Sequence, residues 1–193
     1  MQGAVVSFTT RQASRSNLET GDMTISDRFP NESPAKPGWK LLFSHPAHFV
    51  SFGFGSGLAR SAPGTFGTLA ALPLYWLVAP LLSNQQFLLA LVLAFALGVW
   101  ACDFTGKKLG VADYGGIVWD EIVSFLLVLF FTPSGWSWTI LAFVLFRFFD
   151  ILKPPPIRYF DSNWHGGLGV MFDDLLAAGY AMMCLALVKS ALI

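Results

Sequence analysis

The sequence "GGLGVMFDDLLAAGYAMMCLALV", residues 166–188, joins a glycine-rich start to a long apolar run. Asp173 and Asp174 lie side by side near its beginning, and the stretch as a whole is apolar for long enough to cross a membrane. A carboxylate at the centre of a bilayer costs about 2.5 to 3.5 kcal/mol on insertion scales. The stretch therefore predicts a membrane helix whose two carboxylates face a polar site and not lipid.

The composition of the whole chain also indicates a membrane protein. Of the 193 residues, 54% are hydrophobic and 12% are charged, whereas an average soluble domain has roughly 25% charged residues. The mean hydropathy is +0.58. A formal net charge of zero argues against nucleic acid as a partner. Cys102 and Cys184 both lie in apolar runs and indicate neither a disulfide nor a metal cluster.

The chain divides into a polar beginning and an apolar remainder. Residues 1–40 are rich in Ser, Thr, Asn and Pro and predict a flexible polar tail, followed by a membrane-embedded domain over residues 41–193. The fold is predicted to be all-α and polytopic, with about five apolar helical segments. These segments are 65–82, 86–102, 117–131, 136–152 and 168–188. The glycine-rich stretch 45–59 fits an interfacial or re-entrant segment better than a span.

The basic residues predict the orientation of the segments. They follow the second and fourth segments or lie in the tail, whereas the loops at 83–85 and 132–138 carry no charge. By the positive-inside rule, the tail and the basic loops are cytoplasmic. An alternating topology then brings the start of the third segment, the end of the fourth and the start of the fifth to the same cytoplasmic face.

Acidic side chains lie at all three of these helix ends. They are Asp120, Glu121, Asp150, Asp173 and Asp174. Carboxylates gathered at a partly dry site repel one another unless a cation joins them. Oxygen ligands without His or Cys suit Mg²⁺. We therefore predict these five residues as catalytic residues and Mg²⁺ ligands, and the sequence leaves open which of them is nucleophile, general base or ligand.

Groups that suit a phosphate accompany the acids. Arg147 and Lys153 recur at three-residue spacing with Asp150, which places them close to one helix face. Arg60 precedes a Pro-Gly-Thr sequence that can open a helix, whose free N–H groups can hold phosphate. The predicted substrate-binding residues are Arg60, Thr65, Arg147 and Lys153.

Structural roles are the alternative for several of these residues. Arg60 and Lys153 could be interfacial residues that snorkel, and Arg147 could simply neutralise Asp150. Asp161, which precedes Ser-Asn-Trp, is predicted to be a turn or cap residue.

Four motifs, taken in order, resemble the phosphatidylglycerophosphatase A family. They are "GFGSGLARSAPGTFGTL", "GIVWDEIV", "FRFFDILKPPPIRYFD" and "HGGLGVMFDDLLAAG". The resemblance implies a Mg²⁺-dependent, multi-pass enzyme of the bacterial inner membrane. That enzyme would remove the terminal phosphate of phosphatidylglycerophosphate, leaving phosphatidylglycerol. It also implies that the five acids form the site. Ser124 stands where the family usually has glycine.

Two other functions are compatible with acids near a membrane. A small transporter or channel would line an ion path with them, and an intramembrane aspartyl protease would need two Asp that meet within the membrane. The predicted position of the acids at one face, with almost no polar groups in the far halves of the segments, favours the phosphatase. The sequence does not set the oligomeric state, the number of Mg²⁺ ions or the strictness of head-group selection.

Overall fold

The computed structural model describes residues 37–111, 114–164 and 166–192, which form helices and turns without a strand. The predicted all-α class is therefore confirmed for these residues, and most of the predicted tail, residues 1–40, lies outside them. The helices are α1 (Trp39–Leu42), α2 (Pro46–Ser51), α3 (Pro63–Val78), α4 (Asn84–Leu109), α5 (Trp119–Phe131), α6 (Trp136–Leu152), α7 (Ile157–Asn163) and α8 (Gly167–Leu192). Two 3₁₀ turns, Gly53–Leu58 and Ala79–Leu81, flank α3.

Each of the five predicted apolar segments is a helix, and local signals set the ends. Pro63 occupies the first turn of α3, where its missing N–H costs nothing. Ser83 caps α4 in a capping box with Gln86. Gly110 ends α4 with a φ of 69°, a left-handed conformation that glycine adopts without strain.

The five apolar helices differ in length. Three are long and apolar enough to cross a membrane: Pro63–Leu81, which joins α3 to the following turn, Asn84–Leu109 and Gly167–Leu192. The helix α5 has only 13 residues, about 20 Å at 1.5 Å per residue, against a hydrocarbon core of about 30 Å. The helix α6 has 17 residues. Among the residues that the structure describes, five apolar helices are thus present, and three of them meet the length and composition of a span.

The shortest of these helices is the central one. The helix α5 contacts α3, α4, α6 and α8, and Ile122, Phe125 and Val128 on it have no exposed surface. In contrast, the most apolar stretches of the three long helices are only 22% to 28% buried. The apolar sequence of α5 therefore serves packing within the protein, and the outer helices present the apolar surface.

Close contacts at glycines fix the start of α5. A Cβ at Gly67 in α3 would lie 2.6 Å from Cβ of Val118, and one at Gly98 in α4 would lie 2.6 Å from Cδ1 of Trp119. The Trp119 indole N–H also donates to the carbonyl oxygen of Ala94, 2.9 Å away. The absence of side chains at these glycines lets α3 and α4 approach α5, so the acidic first turn of α5 is held from both sides.

The glycine-rich stretch 45–59 forms α2 and the 3₁₀ turn Gly53–Leu58. The helix α2 packs against α4 and contacts α5. His48 and Ser51 are buried, and each side chain forms a hydrogen bond with the Thr105 hydroxyl in α4, at 2.9 Å and 2.8 Å. The backbone N–H of Val118 donates to the Ser51 carbonyl oxygen at 2.9 Å. This stretch therefore forms hydrogen bonds both with the end of α4, through Thr105, and with the residue before α5, Val118, and it holds these two parts of the chain together.

Candidate functional site

Three carboxylates from two helices meet at the start of α5. Asp120 and Glu121 lie in its first turn, and Asp174 lies in the second turn of α8. One oxygen from each of the three lies within 4.8 Å of the others. Their exposed fractions are 7%, 9% and 3%. The predicted meeting of acids from different helix ends is therefore confirmed for these three residues.

The start of α5 explains why Asp120 and Glu121 are tolerated there. Acidic side chains in the first turn of a helix are stabilised by the positive end of its dipole. At the start of α8, Gly167 packs against the backbone of α4 at Val99 and Asp103, and Gly169 packs against the backbone of Trp164. These contacts seat the beginning of α8 deep enough for Asp174 to reach α5.

Arg147 connects Asp150 to this group. Its guanidinium donates to Asp150 at 2.6 Å and to Glu121 at 3.4 Å, and it lies 3.5 Å from the Thr68 hydroxyl. The Arg147 side chain is only 15% exposed. Arg147 therefore forms the ion pair with Asp150 that the structural alternative describes, and the same guanidinium also contacts Glu121 of the three-carboxylate group.

Lys153 contacts a different pair of acids. Its ammonium donates to Asp161 in α7 at 2.7 Å and to Asp173 in α8. Burial lowers the pKa of Lys153, but the hydrogen bonds and charges of Asp161 and Asp173 outweigh this effect, so its pKa is raised. Lys153 is therefore a fixed cation at neutral pH.

The donor set fits a hard cation. The Glu121 Oε2 and Asp174 Oδ2 atoms are buried, and neither has a hydrogen-bond partner among the residues that the structure describes. Buried carboxylate oxygens need a donor or a cation. Oxygen ligands at this spacing suit Mg²⁺ better than a softer metal. Of the five predicted ligands, Asp120, Glu121 and Asp174 are thus gathered, and Asp150 and Asp173 contact the flanking cations.

The four predicted phosphate-binding residues are not all at the acids. Arg147 and Lys153 flank them, as described above. Arg60 is exposed and lines a cavity of about 590 Å³ together with the backbone of Gly57, Gly115 and Gly116. Thr65 is half-buried. Arg60 and its cavity lie beside the start of α3, and no described hydrogen bond or ion pair joins Arg60 to the acids.

Two residues of the site were not predicted. Thr68 is fully buried, donates to the Gly64 carbonyl oxygen at 2.9 Å and touches Arg147. It lies one helical turn beyond Thr65, so the spacing of the two threonines was the available signal. Asp161 was predicted as a turn residue and instead lies within α7, paired with Lys153. Its distance of eight residues from Lys153 gave no helical spacing to indicate that pair.

Comparison with known proteins agrees with these motifs. Residues 49–189 match the family model described as phosphatidylglycerophosphatase A. The chain is 49% identical over 145 residues to phosphatidylglycerophosphatase A of Haemophilus influenzae, covering 75% of this chain and 89% of that protein. It is 45% identical over 156 residues to phosphatidylglycerophosphatase A of Escherichia coli, covering 80% and 88%. No solved structure matches. The chain therefore belongs to the phosphatidylglycerophosphatase A family.

Proposed function

We propose that the protein is a Mg²⁺-dependent lipid phosphatase that hydrolyses the terminal phosphate monoester of phosphatidylglycerophosphate to phosphatidylglycerol and phosphate. One observation carries the chemistry: oxygens of Asp120, Glu121 and Asp174 lie within 4.8 Å of one another. Arg147 forms an ion pair with Glu121, and Lys153 forms one with Asp173, the residue before Asp174. The names of the two relatives support the substrate.

The residues of the site supply what hydrolysis of a phosphate monoester needs. A dianionic phosphate repels a nucleophile, so its charge must be neutralised and the attacking water must be oriented. Asp120, Glu121 and Asp174 would hold Mg²⁺, which when bound neutralises phosphate charge and makes a water more acidic. Arg147 and Lys153 bind phosphate oxygens with charged N–H donors, and one carboxylate accepts the proton of the attacking water.

The site is proposed to face the cytoplasm of a bacterial inner membrane that α3, α4, α5, α6 and α8 cross. Lys107 and Lys108 at the end of α4, and Lys153 after α6, belong to the connections at the acidic ends of the helices. The positive-inside rule places such connections in the cytoplasm. Because neighbouring helices enclose α5, its 13 residues need not match the bilayer thickness.

The apolar surfaces of the outer helices support a lipid substrate. Leu89, Val92 and Leu93 on α4 are all more than half exposed. The acyl chains of a phospholipid can remain against such a surface while its phosphate reaches the acids at the helix ends. A path for ions through the molecule receives no comparable support, because the acids lie near helix ends and the opposite half of α5 is apolar.

Phosphate release by the purified protein tests the function. In detergent, phosphatidylglycerophosphate should be hydrolysed in proportion to Mg²⁺ saturation, and removal of divalent cations by EDTA should abolish the reaction. Glycerol phosphate should give a much lower kcat/KM, because it lacks the acyl chains that contribute binding energy. Hydrolysis that survives EDTA would contradict the metal, and equal kcat/KM for the two substrates would contradict the lipid site.

A further inference from the structure

The salt bridge between Lys153 and Asp161 joins two parts of the chain that helical spacing does not connect. The Lys153 ammonium lies 2.7 Å from Asp161 Oδ1 and also contacts Asp173. Asp173 is 5% exposed and precedes Asp174 of the three-carboxylate group. The side chain of Lys153 is 24% exposed and that of Asp161 is 36% exposed. Lys153 therefore links Asp173, at the rim of the acidic site, to Asp161 of α7.

The backbone on either side of Lys153 is fixed independently of this bridge. Lys153 ends α6 in a left-handed conformation, with a φ of 45°, and its N–H donates to the Phe149 carbonyl oxygen. The following proline run is tied to α8, because the Tyr180 hydroxyl donates to the Pro155 carbonyl oxygen at 2.9 Å. What remains adjustable is the flexible four-carbon side chain of Lys153.

The position of α7 does not depend on Asp161 either. The ring of Phe160 in α7 packs against Phe172 of α8, with centroids 5.2 Å apart, and Trp164, directly after α7, packs against the same Phe172 ring at 4.9 Å. The backbone of Asp161 is therefore held in place by aromatic packing. The contact between Asp161 and Lys153 sets the position of the lysine ammonium and not the position of α7.

A lysine ammonium has three N–H donors and no acceptor. Two of them serve Asp161 and Asp173, which leaves one for another acceptor. With only Asp173 as a partner, the ammonium could rotate about that contact or move toward the remaining acids. Two carboxylates on different helices restrict it to one place at the rim.

We propose that Asp161 is a positioning residue that fixes the Lys153 ammonium at the rim of the acidic site, with its third N–H directed to a phosphate oxygen of the substrate. The inference rests on the proposed phosphatase function, since it concerns how that site binds phosphate. Asp161 touches Lys153 and not the substrate, so its effect is exerted entirely through the lysine.

The test compares Asp161→Asn with the unaltered chain in full-length protein. We expect KM for phosphatidylglycerophosphate to rise about five- to tenfold while kcat changes less than about twofold, because binding is lost equally in the ground state and the transition state. The dissociation constant of inorganic phosphate, measured by calorimetry in the presence of Mg²⁺, should rise by the same factor. Asp161→Glu, which retains the carboxylate, should raise KM and the dissociation constant of phosphate less than Asp161→Asn does.

A matched control is available in Asp103. Its side chain is also 36% exposed and forms a salt bridge with Lys107 at 2.6 Å. Asp103→Asn therefore removes the same kind of contact from a lysine that does not touch the acidic site. It should leave both KM and the dissociation constant of phosphate unchanged.

A double-mutant cycle with Lys153→Met decides whether Asp161 acts through the lysine. In the Lys153→Met chain, Asp161→Asn should have no further effect on KM. The inference is overturned if Asp161→Asn leaves KM and the phosphate dissociation constant unchanged in an active enzyme, or if it raises them as much without Lys153. If the unaltered chain releases no phosphate from the lipid, the proposed function fails instead.

Discussion

Gly64 of α3 lies directly against the Glu121 carboxylate of α5. A Cβ at Gly64 would overlap the Glu121 Oε1 atom and would lie 3.1 Å from both terminal nitrogens of Arg147. The helix α3 thus meets the ion pair between Glu121 and Arg147 with its backbone. A side chain at Gly64 would have to displace one of two buried charged groups.

Gly64→Ala should therefore lower activity strongly. Displacement of Glu121 or Arg147 by even about 1 Å can cost roughly 100-fold in rate when the groups bind or orient substrate. The measurements are phosphate release and the thermal unfolding midpoint in detergent. Gly179→Ala is the control, because Gly179 lies in the middle of α8 and a Cβ there would have no neighbouring atom within 4 Å. It should leave activity unchanged and raise stability slightly, since alanine is the better helix former. Equal activities of the two variants would contradict a role for this close contact.

Asp174→Asn should abolish the stabilisation of the folded protein by Mg²⁺ and lower turnover, without unfolding the protein. The substitution keeps the size of the side chain, and removal of one of several like charges can relieve repulsion in the absence of a cation. The unaltered chain should gain thermal stability as Mg²⁺ is added, as expected for a ligand of the folded state. The Asn variant should gain little and should lose at least about 100-fold in turnover, equivalent to about 2.7 kcal/mol.

Asp103→Asn serves again as the carboxylate control for this experiment, because Asp103 lies outside the three-carboxylate group. It should keep both the Mg²⁺-dependent stabilisation and the turnover. A retained Mg²⁺ response in Asp174→Asn would remove Asp174 from the predicted ligand set.

The free energy of unfolding should depend on pH through His48, which joins α2 to Thr105 of α4. Its pKa is lowered from 6.5, first by burial and then by electrostatic interaction with His45 and Lys108. Between the lowered pKa and 6.5, the unfolded chain binds more protons than the folded chain. The stability that neutral His48 provides is therefore fully present above pH 6.5 and declines as the pH falls from 6.5 toward the lowered pKa.

Thermal unfolding at pH 7.5, 6.5 and 5.5 measures this dependence. His48→Gln should be less stable than the unaltered chain at pH 7.5, because the hydrogen bond with Thr105 is altered, but it should lose less stability on acidification. His45→Asn keeps a side chain that can cap α2 and should retain most of the pH dependence. If the slopes with and without His48 are the same, another group controls the acid response.

Cysteine labelling tests the proposed orientation. In a chain whose Cys102 and Cys184 have been replaced by alanine, Gln85→Cys places a thiol in the first turn of α4 and Lys108→Cys places one near its end. Both native residues are exposed. In intact cells an impermeant thiol reagent should label the first and not the second, because the positively charged end is cytoplasmic. The opposite pattern would place the acidic site outside.

The sequence by itself determined the five apolar helices and the ends at which the acids lie. Length, apolar composition, Pro63 at the start of α3 and Gly110 at the end of α4 are local signals, so they can be recognised without knowledge of the neighbours. The pairing of Arg147 with Asp150 followed from the same cause, since residues three apart are adjacent on one helix.

Only the tertiary structure decided which of these groups touch. The choice of Asp120, Glu121 and Asp174 as the three-carboxylate group depends on how deeply α8 packs against α5, which small residues on several helices set together. The enclosure of α5 and the bridge from Lys153 to Asp161 likewise depend on packing between separate helices. Contacts of this kind have no spacing in the chain to reveal them, because the distance between two side chains on different helices is fixed by every helix that packs around them.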